Sequence, residues 1–120
     1  MKEEAVTSEL CIYTHSECPV EITLDILGGK WKGLILYRLL DGKKRFGELK
    51  KLLPKVTHRT LTMQLRELEM HGIVIRQVYA EVPPKVEYRL SPLGVSIQPI
   101  IVAMHDWGTM YKKTMHGDQK

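Results

Sequence analysis

The spacing of apolar positions changes along this chain, and each change marks an element. Pro19 suits the first turn of a helix, after which Val20, Leu24 and Leu27 recur at helical spacing until Gly28-Gly29 stops the run. Trp31, Leu34, Ile35, Tyr37, Arg38 and Leu39 read as a second helix, closed by Asp41-Gly42. In "RFGELKKLLP" the positions Phe46, Leu49, Leu52 and Leu53 form the expected buried stripe of a third helix, which Pro54 ends. "KVTHRTLTMQLRELEMHG" carries Leu61, Leu65 and Leu68 at i, i+4 and i+7, with Thr57 as expected N-cap and Gly72 at the C-terminal stop. This fourth helix keeps His58, Arg59, Thr62, Met63 and Arg66 off its leucine stripe.

The period then falls to two. "IVIRQVYA" and "KVEYRL" are β-branched and aromatic runs separated by "EVPP", whose paired prolines suit a hairpin tip. A long helical pattern from Pro92 to Lys113 follows, apolar at Leu93, Ile97, Ile100, Ile101, Met104, Trp107 and Tyr111, with Pro99 kinking or restarting it. Four helices, a hairpin and a last helix predict an α+β, mainly helical fold. It is a winged helix-turn-helix with a two-stranded wing and extra N- and C-terminal helices for dimerisation. The expected organisation is a flexible N-terminal arm at 1–10, one domain at 11–113 and a flexible tail at 114–120.

Composition adds little until it is divided along the chain. With 120 residues and 43% hydrophobic positions the chain has the size of one domain. The formal charge of +4 is unevenly spread: from Lys43 to Arg89 there are eleven Lys or Arg against five Glu, while the remainder is net acidic. A polyanion would meet the middle of the chain. No run of about 18 apolar residues is present to span a membrane and the first ten residues do not read as a signal peptide, so a cytoplasmic protein with no membrane partner is expected. The sequence also lacks a nucleophile elbow, a phosphate-cradling glycine loop and a paired-carboxylate motif, so neither an enzyme nor a cofactor is expected.

Double-stranded DNA is the expected partner, with the fourth helix in a major groove. Arg59 and Arg66 can donate bidentately to guanine, and Thr57 and Thr62 can bond phosphate or a base edge. His58 fits a surface role as well as base reading, and Met63 fits either a thymine methyl or the core. Lys85, behind Pro83-Pro84, and Arg76 supply the wing with cations. Lys30 and Lys32 around the second helix, and Lys43, Lys44 and Arg45 before the third, suit phosphate contacts, whereas Glu67 and Glu69 suit pairing with nearby basic groups. One recognition helix reads only a few base pairs, so a homodimer on a symmetric site is expected. Its interface is assigned to Ile97, Ile101, Met104, Trp107 and Tyr111, because the last helix is apolar over too wide an arc for one small domain. A winged-helix protein–protein adaptor is the rival function, and salt-dependent duplex binding separates the two.

The stretches "CPVEITLDILGGKWKGLIL", the run from "RFGELKKLLP" through "LRELEMHGIV", "VYAEVPPKVEY" and "LSPLG", and the closing "AMHDWG" together resemble the HxlR-type branch of the MarR-like bacterial winged-helix regulators. The resemblance covers residues 18 to 108. It implies a homodimeric transcription factor on a pseudo-palindromic operator, responding to a small-molecule inducer or an oxidant. Cys18 matches the cysteine of the family's "CP" motif, and some members use a cysteine in this region to sense oxidants or electrophiles.

"CIYTHSECP" holds both cysteines of the chain. A reducing compartment disfavours a permanent disulfide. At a helix N-terminus Cys18 gains thiolate character, while Glu17 and Glu21 oppose it, and Cys11 is placed to resolve an oxidised Cys18. An inert buried thiol is an equal alternative. Cys11, His15 and Cys18 give only three ligands in no recognised finger spacing, so no metal site is assigned and a metal-responsive regulator stays a lesser alternative.

Overall fold

The computed structural model describes residues 18–116. Cys11, His15, the arm at 1–10 and residues 117–120 lie outside them. Five of the six expected elements form where the pattern put them: α1 (Pro19–Leu27), α2 (Lys32–Leu39), α3 (Phe46–Leu52), α4 (His58–Met70) and the hairpin of β2 (Val74–Tyr79) with β3 (Lys85–Leu90). The sixth divides into α5 (Pro92–Val95) and α6 (Gln98–His116), so Pro99 stands in the first turn of a restarted helix. Helix α6 reaches three residues into the stretch assigned to a tail.

The order is that of a winged helix-turn-helix, with one addition to the wing. Lys44–Arg45 form a short strand, β1, and the sheet is three-stranded in the order β1-β3-β2, all antiparallel. Lys44 lies opposite Tyr88 and Arg45 opposite Glu87. A two-residue strand has no alternation by which sequence could announce it.

The core gathers Ile35, Leu36, Leu39, Leu49, Val56, Leu61, Leu65 and Leu68. Helix α4 is fixed at both ends. Thr57 Oγ1 accepts from the Thr60 amide at 3.0 Å. At the other end Gly72, with φ of 78°, turns the chain so that the Ile73 amide donates to Leu68 O at 2.9 Å. Two details of the apolar pattern are corrected. Leu52 faces solvent, while Leu53 is buried as expected and Val56 joins it to close the core behind α3. In α1 the buried residues are Ile22 and Leu27, while Val20 and Leu24 point outward.

The turn into α5 ties the wing to the end of α4. The Ser91 hydroxyl donates to Gly72 O at 2.6 Å and accepts from the Gly94 amide at 2.9 Å, and the Ser91 amide donates to Ile73 O at 2.9 Å. Gly94 is buried so closely that a Cβ there would sit 2.2 Å from Ile73 O. Because the obstructing atom is backbone, no rotamer change can relieve it, and the turn after α4 would have to move. Gly94→Ala is therefore expected to destabilise the fold by about 2–3 kcal/mol, read as a lower midpoint in urea unfolding. An unchanged midpoint would mean that the turn relaxes freely.

Candidate nucleic-acid interface

Helix α4 follows α3 through a turn and presents the face opposite its leucines to solvent. Arg59, Met63 and Arg66 are exposed on that face, and Thr62 is half-buried. Exposure of Met63 removes it from the core. Neither Arg59 nor Arg66 enters an ion pair among the described residues. Their guanidinium forks are thus available to an external acceptor, where bidentate donation is strongest.

The neighbouring side chains divide into those still able to bond outward and those already engaged. The Thr62 hydroxyl donates to His58 O at 2.9 Å, so toward any external group it can only accept. Thr57 uses its oxygen as a cap and keeps a hydroxyl proton for a phosphate. His58 packs its ring 4.6 Å from that of Phe46 at 50°, which braces α4 against α3. Between α4 and the sheet lies a crevice of about 300 Å³ lined by Thr62, Leu65, Arg66, Glu69, Arg76 and Tyr88. Arg66 and Arg76 meet there from different elements. Tyr88 was missed as part of this site because only the packing of α4 on the sheet, through β2, brings it there.

Several lysines assigned to phosphate are held by carboxylates. Lys32 is buried and its Nζ lies 2.5 Å from Glu67 Oε1 on α4, so it braces α4 against α2 and has no surface to offer a phosphate. Glu67 thus pairs with a basic group as expected. Lys44 Nζ lies 2.5 Å from Asp41 Oδ1, and that hydrogen bond, with the attraction of the same ammonium, holds the Asp41 carboxyl below its ordinary range. Arg45 is exposed, and its amide donates to Glu48 Oε1 at 2.7 Å, which caps α3. Lys30 is exposed and stands 4.9 Å from the Trp31 ring centre.

On the wing, Lys85 lies 4.8 Å above the Tyr79 ring centre. Lys43 and Lys85 both approach Glu87, at 3.4 and 3.7 Å. Burial pushes the Glu87 carboxyl up, but a hydrogen bond from Tyr79 and the two lysines more than offset this and leave it below its usual value.

The residues assigned to a subunit interface separate in the same way. Ile97 and Ile101 lie in this chain's own core, anchoring α6, and offer no surface to a second copy. Met104, Trp107 and Tyr111 are exposed at 51%, 60% and 49%. The Trp107 and Tyr111 rings stack 5.1 Å apart, and Met104 and Trp107 help line an open apolar depression with Pro99, Ile100 and Ala103. Cys18 is exposed at the N-cap of α1, where its carbonyl accepts from the Ile22 amide. Within the single chain Cys18 is thus exposed and not a buried thiol. Among the described residues no helix is long and apolar enough to cross a membrane.

Comparison with known proteins follows the same lines. The sequence profile of the HxlR-like helix-turn-helix family matches residues 26–116. An HTH-type transcriptional regulator of Bacillus subtilis, YdeP, is 62% identical over 95 residues, which cover 79% of this chain and 74% of that protein. The redox regulator HypR in its reduced form superposes with a TM-score of 0.79 at 52% identity over 82% of this chain and 98% of HypR. Its oxidised form gives 0.75 at 56% identity over 78% of this chain and 96% of HypR.

Proposed function

The chain belongs to the HxlR-like helix-turn-helix family of transcriptional regulators, and from that premise we propose that it binds a pseudo-palindromic operator as a homodimer, reading bases with Arg59 and Arg66. The observation that carries this reading is the outward face of α4, where two arginines without carboxylate partners among the described residues stand clear of the leucine stripe. Arg76, Lys43, Lys85, Arg45, Lys30 and Thr57 add contacts to the backbone, which position without specifying. The exposed stripe of Met104, Trp107 and Tyr111 joins the two copies, and Val20 and Leu24 of α1 are exposed apolar residues that a second copy would also cover.

Duplex binding measured against salt tests the reading. A protein that releases counterions loses affinity linearly in log salt, with a slope of about −0.9 per phosphate neutralised. Binding that is insensitive to salt would favour the adaptor function.

Cys18 acts as a thiol switch in this proposal. Its exposure at a helix N-cap lets an oxidant reach it, and similarity to the redox regulator HypR supports the assignment. Cys11 serves as the resolving thiol. Diamide, as the two-electron oxidant, takes up the two thiol protons while a disulfide forms, and the bridge alters the spacing of the two recognition helices. Diamide is expected to change operator affinity of the wild type at least fivefold and that of Cys18→Ser little. Equal responses of the two proteins would make Cys18 a structural residue.

A further inference from the structure

The three strands contain one acidic residue, Glu87, among Lys44, Arg45, Arg76, Lys85 and Arg89. It occupies the central strand, opposite Arg45 on one side and Gln77 on the other. It is also buried, at 8% exposure, which is unusual for a carboxylate on a small wing. Alternation along β3 places Lys85, Glu87 and Arg89 on one face of the sheet, with Tyr88 and Leu90 on the face toward the helices. Glu87 Oε1 faces Lys43 at 3.4 Å and Oε2 faces Lys85 at 3.7 Å. One buried carboxylate therefore holds two cations that reach it from separate segments, the turn before β1 and the tip of the hairpin.

These distances decide what the cluster can do. A tight charge-assisted bond between ammonium and carboxylate spans about 2.7–2.9 Å. Both lysines stand farther off than that, and Lys43 is itself more than half exposed. They are restrained by attraction more than by directed hydrogen bonds, so either can swing to a phosphate at small cost. While they remain beside Glu87, its negative charge cancels much of the field they would present to a passing duplex.

We propose that Glu87 is a specificity-determining residue, a positioning carboxylate that restrains Lys43 and Lys85 and so suppresses binding to DNA of the wrong sequence. This rests on the regulator reading. On the operator, base contacts from α4 fix where the wing meets the backbone, so lysines already restrained near that place gain little from release. On random duplex no register is imposed, and lysines released from Glu87 can follow phosphates wherever they lie. Glu87 would thus act by weakening the competitor complexes more than the correct one.

The test uses the full chain with Glu87→Gln, which keeps the buried shape and removes the charge. Two probes are compared: a duplex selected by the wild type from a random pool, and a scrambled duplex of the same length and composition. The variant is expected to bind the scrambled duplex about fivefold to tenfold more tightly and the selected duplex by a smaller factor. Its salt slope on scrambled DNA should steepen by about 0.9 for each further phosphate that it neutralises. Adding Lys43→Gln and Lys85→Gln to the variant should abolish the gain, whereas a merely structural role for Glu87 would leave the salt slope unmoved. Equal tightening on both duplexes, or no tightening in a variant whose circular dichroism and melting match the wild type, would overturn the inference. If Glu87→Gln unfolds the chain, Lys43→Gln with Lys85→Gln in the wild-type background decides: the inference requires little loss on scrambled DNA, and a large loss there overturns it. Failure of the wild type to bind any duplex would refute the regulator reading itself, an outcome distinct from all of these.

Discussion

Trp107→Glu combined with Tyr111→Glu is expected to leave a folded monomer whose affinity for the operator is at least 100-fold weaker than that of the wild type. Both rings are about half exposed or more in the single chain, so this subunit's core does not require them. Ile101, two turns earlier, holds α6 to the body and is untouched. In a dimer the same positions would bury two new carboxylates per subunit, and desolvating unpaired charge costs several kcal/mol. The loss of affinity follows from symmetry. A lone recognition helix reads one half-site, and the gap between specific and non-specific binding, typically 10³–10⁷ in affinity, cannot be reached without the second. Sedimentation and anisotropy on the same samples check both parts. A monomer that keeps full affinity would remove dimerisation from the mechanism.

Arg66→Ala and Arg59→Ala carry the second large effect. Each should cost about 1–3 kcal/mol on the operator and much less on scrambled DNA, because a bidentate bond to guanine is lost only where a guanine is being read. Arg66 has a further reason to matter, since it shares the crevice with Arg76 and Tyr88 and so links base reading to the sheet. Its chain neighbour Glu67 pairs with Lys32 and fixes the rotation of α4 about its axis, so the arginines face outward in a defined direction. Equal losses on both duplexes would make the arginine concerned a phosphate contact.

Helix α4 was legible because three signals agree: leucines at positions 61, 65 and 68, a threonine cap and a glycine stop. The hairpin was legible for a similar reason, with period-two runs on either side of paired prolines. What escaped depends on pairing between distant segments. An apolar stripe on α6 cannot tell burial inside a chain from burial between two chains, so Ile97 and Ile101 looked like Trp107 until the packing separated them. Lysines around α2 and α3 look alike in sequence, yet Lys32 is buried against Glu67, Lys44 is held by Asp41 and Lys43 leans on Glu87. Glu87 itself sits in a strand whose composition marks only a β-run. Its setting appears once the register places it opposite Arg45 of β1 and two residues from Lys85 on its own face of the sheet. Family resemblance found the serine–proline–leucine–glycine stretch, and the physical reason for its glycine lies in the Ile73 carbonyl beside it.

The central claim is that α4, used twice by a symmetric dimer, reads a DNA sequence. Selection of duplexes from a random pool by the full-length protein tests it most directly. Repeated selection is expected to enrich a site of two inverted half-sites, centred about one helical turn or a multiple of it apart, whose enrichment disappears with Arg59→Ala and Arg66→Ala combined. A pool that stays random after repeated selection, or a site that the doubly substituted protein enriches equally well, would contradict it.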